Sequence, residues 1–324
     1  MGARHDNGPA GPRVDRSVRH VDLIHRYRPD LARDTLPATP AEAFERLRRG
    51  NRNLARFIEA CAPDGEHVPP PSPILLDAHE VGRGPDSSGF PRQEPFAVVL
   101  GCADARTPAE IMFSQSFNDI FNVRVAGNVL GVEVAGSVRY AIDRFAVDRR
   151  SSGGDAPSLR VLLALGHLNC GAVKAAVDAY QDGLPPTVLG DDSVAAILRR
   201  IHFPAVVAAA EAFDAPGAFG PLASRDRARS AELCELAVTL NAAWTARELQ
   251  ALIPPGLDLG GGVEVAFGIF DPRDCVVRAD PQKARTPEDR AASFSPPPRD
   301  LDDLREIARR FVASLVGRAR SAAT

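Results

Sequence analysis

The run LRVLLALGHLNCG (159–171) decides the fold. From Val161 to Leu165 it is apolar without alternation, which is the pattern of a strand covered on both faces. It ends in His167 and Cys170, and CGAVKAAVDAYQDG (170–183) opens a helix at once. FAVVLG (96–101) repeats the pattern and runs into Cys102-Ala103-Asp104-Ala105-Arg106. DIFNVRVAG (119–127) reads as another strand, VLGVEVAGSVRYAIDRFAV (129–147) as a helix with small residues on one face, and VEVAFGIFD (263–271) as the last strand. Strand and helix in this rhythm predict an α/β fold. Its central sheet is mostly parallel, about four parallel strands with an edge strand, and helices flank it.

Outward from these runs the chain divides readily. Residues 1–36 are polar and without a sustained period, and are expected to form a flexible arm. Thr39-Pro40-Ala41-Glu42 has the residues of a helix start: a hydroxyl cap, proline at the first position and a first-turn acid. Phe44, Leu47, Leu54 and Phe57 give that helix an apolar stripe, interrupted at Gly50-Asn51. Residues 61–92 are rich in Pro, Gly and Ser and read as a long irregular connection. Further helices are expected over 192–213 and 229–253. The expected catalytic domain spans 37–277. A proline-rich linker follows over 278–300, then an amphipathic helix over 301–324 with its stripe at Leu301, Leu304, Ile307, Phe311 and Leu315.

A net charge of −3 points to neither nucleic acid nor membrane as partner. No apolar run is read as approaching the roughly 20 residues a bilayer requires. The first residues lack a signal-peptide core, so a cytoplasmic location is expected. Five cysteines, an odd number without framework spacing, argue against a disulfide scaffold. Cys234 lies in an apolar helical pattern and Cys275 in a late strand, and both read as packing residues.

Functional groups collect at the carboxyl ends of strands in an open parallel sheet. Two thiols and an imidazole from two such ends, Cys102, His167 and Cys170, make a donor set suited to Zn²⁺ with one tetrahedral position left open. A thiol nucleophile, Cys102 or Cys170, with His167 as its base is the competing reading. Asp104 and Arg106 form either a turn salt bridge or a gate that holds a carboxylate beside the metal.

The Cys-x-Asp-x-Arg and Gly-His-x-x-Cys-Gly motifs together resemble the beta-class carbonic anhydrases. TPAEAFERLRRGNRNL (39–54), NDIFNVRVAGNV (118–129), Arg139-Tyr140-Ala141-Ile142 and VEVAFGIFDPRDCVV (263–277) extend the resemblance over roughly 39–277. It implies one zinc ion on Cys102, His167 and Cys170, with Asp104 and Arg106 as the dyad and Asp104 able to take the fourth zinc position. It implies reversible hydration of carbon dioxide to bicarbonate and a proton, with hydroxide available near neutral pH. Gln93 and the Gly171 amide are then the substrate contacts, and the chain is expected to form a homodimer or larger homo-oligomer with its cleft at the subunit interface. His202 and His79 are proton-shuttle candidates.

The chain departs from the family pattern at Ala103 or Ala105 and at Leu168, where serine is common, and at Val125, where asparagine is usual. Val99 stands where some members carry the tryptophan of a bicarbonate pocket, while Arg124 keeps its place. The segments 148–158 and 184–230 are longer than usual. A same-fold hydrolase of carbon disulfide or carbonyl sulfide, and a zinc-binding member without turnover, are the alternatives.

Overall fold

In the computed structural model, which describes residues 35–60, 92–147, 156–184, 192–255, 262–280 and 292–322, the apolar runs pair into one five-stranded sheet. The strands are β1 (Ala97–Gly101), β2 (Ile120–Arg124), β3 (Val161–His167), β4 (Glu264–Asp271) and β5 (Val276–Arg278). Their order is β2-β1-β3-β4-β5. The first four are parallel and β5 is an antiparallel edge. β1 and β3 are buried along their whole length. Their side chains alternate between two cores, as a two-residue period requires. Val98, Leu100, Leu162 and Ala164 face one core, and Ala97, Val99, Val161, Leu163 and Leu165 face the other.

The helices are α1 (Pro40–Ala60), α2 (Ala109–Met112), α3 (Val132–Phe145), α4 (Gly171–Gln181), α5 (Asp192–Ile201), α6 (Val207–Asp214), α7 (Ser230–Ala251) and α8 (Leu301–Ala322). α1 begins where its caps place it. The Glu42 amide donates to Thr39 Oγ1 at 3.2 Å, and the Ala38 amide donates to Glu42 Oε2 at 2.8 Å. The helix does not stop at Gly50-Asn51. A Cβ at position 50 would lie 1.6 Å from the Phe113 carbonyl oxygen, so this glycine allows α2 to approach. Asn51 Nδ2 donates to the carbonyls of Met112 (3.0 Å) and Cys275 (2.9 Å), and its Oδ1 accepts from the Val277 amide (2.9 Å). The dipeptide is a docking point on the sheet side of a continuous helix.

Three further expectations are corrected. The single helix over 192–213 is two: the π-turn His202–Val206 separates α5 from α6, with Phe203 non-helical before Pro204. Proline has no N–H to give and forces its predecessor out of helical geometry. The run Ser193–Asp214 is, by length and composition, long and apolar enough to cross a membrane, and half of it is buried inside the protein. Cys275 lies in the turn between β4 and β5, at φ 59°, and not in a strand. Cys275 and Cys234 are both half-buried against the cores.

Of the expected linker, the described part packs on the sheet. Ser295 exchanges both backbone hydrogen bonds with Phe267, at 2.8 and 3.0 Å, and the Phe294 ring lies 5.3 Å from Phe44. α8 seats Leu304, Ala308, Phe311 and Val312 in the same core as α6 and α7. The arm over residues 1–34, Cys61, His79 and the loop over 148–155 lie outside the described residues.

Candidate metal centre

Strand register assembles the cluster. Gly101 pairs with Leu165, so Cys102 leaves β1 level with the end of β3, where His167 is the last strand residue. Cys170 follows after a two-residue turn whose Asn169 takes the left-handed conformation at φ 57°. Gly166 eases a close approach here: a Cβ there would come within 3.1 Å of both Ala242 of α7 and Ile269, tighter than most such contacts.

The donor atoms of Cys102, His167 and Cys170 all lie within 4.8 Å of one another, and all three residues are buried. The two Sγ atoms are 3.9 Å apart. A tetrahedral zinc ion with Zn–S bonds of about 2.3 Å would hold its sulfurs about 3.8 Å apart. His167 Nδ1 lies 3.0 Å from the Leu168 carbonyl, which accepts only, so this nitrogen carries the proton. Nε2 therefore presents a lone pair, and it is buried with no hydrogen-bond partner. An orphaned imidazole lone pair beside two sulfurs at that spacing fits a zinc ion.

The surroundings favour a negative sulfur at Cys102. The Cys102 thiol is pulled down to about 4, first by the hydrogen bond from Cys170 and also by His167 and the Gly127 amide. The Gly127 N–H donates to Cys102 Sγ at 3.3 Å. Cys170 is pushed up by the same sulfur contact and by burial, while the first amides of α4, at Ala172 and Val173, oppose this.

Asp104 lies at the open side of the cluster. Its Oδ2 is 3.9 Å from His167 Nε2, and both of its oxygens are held by Arg106. Arg106 Nε donates to Oδ1 at 2.9 Å and Nη2 to Oδ2 at 2.7 Å, with the Arg106 amide adding a bond to Oδ1 at 2.9 Å. This bidentate grip holds the Asp104 carboxyl below the usual carboxylate range. The structure thus brings together Cys102, Asp104, Arg106, His167 and Cys170.

Gly171 opens α4 with free space around its Cα, so its N–H is among the donors a helix leaves unpaired at its start. Gln93 is placed differently. It is exposed, and on either side of it Arg92 O and the Glu94 amide bond to Asn118, which precedes β2. Within one chain this holds Gln93 at the amino edge of the sheet, opposite Cys102. His202 is half-buried beside the Tyr180 ring, and burial together with the Arg225 charge lowers its pKa.

The sequence reading missed several contacts. Arg124 Nε donates to the Cys102 carbonyl at 3.0 Å and Nη2 to the Asp104 carbonyl at 2.5 Å, which clamps the turn between them. Gly127, at φ 66°, supplies the amide to Cys102, and Asn241 and Thr245 of α7 hold its turn. Two polar residues inside an apolar helix were the available signal.

Fold and site together define an α/β protein with a three-donor cluster, apt for zinc, at the carboxyl ends of its central strands. Residues 97–243 match the carbonic anhydrase family. Carbonic anhydrase 2 of Mycobacterium tuberculosis is 35% identical over 147 residues, which is 45% of this chain and 57% of that protein. A carbonic anhydrase of Mycolicibacterium smegmatis is 34% identical over 164 residues, 51% of this chain and 66% of that protein. The chain thus matches less than two thirds of the length of these relatives. The beta-carbonic anhydrase CafA of Aspergillus fumigatus is 17% identical, with a TM-score of 0.40 over 68% of this chain and 84% of that one. Over residues 97–243 the chain thus matches the carbonic anhydrase family, and its two motifs resemble those of the beta class.

Proposed function

We propose that this chain catalyses the reversible hydration of carbon dioxide to bicarbonate and a proton. One observation carries the reading: the orphaned His167 Nε2 facing two sulfurs, with an ionised Asp104 held at the open side. Cys102, His167 and Cys170 would hold the zinc, and Asp104 and Arg106 would serve as the dyad. When bound, zinc supplies the Lewis acidity that brings the pKa of water to about 7. Asp104 can only accept hydrogen bonds, since Arg106 keeps it ionised, so it orients a donor at the open side. The same grip keeps the carboxylate off the donor set. The Gly171 amide is available to a developing carboxylate oxygen.

The reading includes a homodimer. Val132, Tyr140, Ile111 and Phe117 are all more than half exposed, on α3 and around α2, the helices that pack on edge strand β2. A sheet edge that is unpaired among the described residues, beside exposed apolar side chains, suits a second copy. Gln93 would serve a site only across such a contact.

Stopped-flow carbon dioxide hydration with zinc analysis tests the proposal. The wild-type chain should carry a single zinc and turn over. Asp104→Ala should keep the zinc and lose at least about tenfold in rate, as loss of an outer partner of a metal site does. Full activity in Asp104→Ala would remove the dyad from the mechanism.

A further inference from the structure

We infer that Asn241 is a positioning residue for the metal centre, acting through the Gly127 turn on the Cys102 thiolate. The inference rests on the metal reading above. Asn241 lies mid-way along α7, buried between Leu240 and Ala242 in an otherwise apolar stretch. A buried carboxamide needs partners, and this one spends its donors on a single short turn. Its Nδ2 donates to the Gly127 carbonyl at 2.8 Å and lies 3.4 Å from Asn128 Oδ1. One helical turn further, on the same face, Thr245 Oγ1 donates to the Asn128 carbonyl at 3.2 Å.

These bonds fall where the turn needs them. Residues 126–128 form a single 3₁₀ turn, and both Gly127 and Asn128 adopt positive φ, at 66° and 46°. The carbonyls of Gly127 and Asn128 are taken by α7 side chains, so α7 sets the tilt of the Gly127 residue. The opposite side of that residue is its N–H, which donates to Cys102 Sγ at 3.3 Å. An N–H bond to a thiolate withdraws charge from the sulfur and fixes the direction of its remaining lone pairs. Outer partners of this kind tune metal affinity and the electron density at the ion. α7 thus does more than cover β3: Asn241 and Thr245 reach the first donor of the cluster through the Gly127–Asn128 turn.

The test uses the full chain loaded with cobalt(II), whose charge-transfer bands report on the sulfur donors. Metal affinity is measured in parallel by competition with a chromophoric chelator. Asn241→Leu removes the donor and keeps the branched heavy-atom shape, with bulkier methyl groups in place of the amide. It should move the sulfur-to-cobalt band to longer wavelength and weaken metal binding about 10–100-fold. Thr245→Val should do the same to a smaller degree. Thr239→Val is the control: this threonine is equally buried on the same helix and bonds only within it, to the Glu235 carbonyl. A folded Asn241→Leu protein with the wild-type band and affinity would overturn the inference. So would a Thr239→Val protein that shifts both as far. If Asn241→Leu fails to fold, Thr245→Val decides, and a wild-type band in it overturns the inference. A wild-type chain that takes up no cobalt overturns the metal reading itself, and this inference with it.

Discussion

Substituting Gly127 by alanine should damage the fold and the site together, through two separable causes. The residue sits at φ 66°, where a Cβ crowds the following carbonyl. That conformation costs an L-residue about 1–2 kcal/mol. The added Cβ would also stand 2.7 Å from Ile201 Cδ1 and 3.3 Å from Ala172 Cβ. Overpacking of this kind costs about 1–3 kcal/mol, and the lower half applies here because Ile201 Cδ1 is the mobile end of its side chain. The two together give about 2–4 kcal/mol, a large share of the 5–15 kcal/mol typical of a native protein. The assay is urea unfolding of the wild type, Gly127→Ala, Ile201→Ala and the double variant. Ile201→Ala alone should cost about 2–5 kcal/mol through its cavity. The double variant should be more stable than additivity predicts by about 1–2 kcal/mol, because removing the Ile201 side chain relieves the clash. Costs that add to within about 0.5 kcal/mol would refute the steric account. A Gly127→Ala protein of wild-type stability would refute the strain account as well.

Two further outcomes follow from the same geometry. Cys102→Ser, Cys170→Ser and His167→Ala should each abolish stoichiometric zinc while leaving the far-ultraviolet circular dichroism intact; retained zinc in His167→Ala would remove the imidazole from the donor set. Asp104 should remain ionised throughout pH 5–9, about the range above an ordinary carboxylate. Its folded pKa is lowered by Arg106, so the pair's contribution is present above the unfolded carboxylate value and is lost only as pH falls through the lower folded one. Carbon-13 chemical shifts of the Asp104 carboxyl check this, and a titration step between pH 5 and 9 would count against the bidentate grip.

Much of the fold was legible because burial on both faces leaves a direct mark. The apolar runs at 97–101 and 161–167 could be central strands, and their ends carried the cluster residues. Gly50-Asn51 showed in the sequence only as an interruption of an apolar stripe, since both residues are poor helix formers on their own. Their reason lies in a carbonyl of α2 and a turn more than 200 positions away. Pro204 was a visible breaker inside an apolar run, and composition outweighed it in the reading. Gln93 was named by the family resemblance alone, and within one chain it stands at the other edge of the sheet from Cys102. A five-residue strand lies between them and separates the two edges of the sheet.

The sequence by itself determined the donor set, the parallel sheet and the Asp104–Arg106 pair, because each depends on residue type and short spacing. Tertiary structure alone decided which His167 nitrogen faces the sulfurs, that Arg124 clamps the Cys102 turn, and that α7 reaches Cys102 through Gly127. Apart from the His167–Leu168 bond between neighbours, those contacts join residues 22 to more than 100 positions apart. The register of β1 against both β2 and β3, and the close approach of α7 at Gly166, bring them into hydrogen-bonding distance.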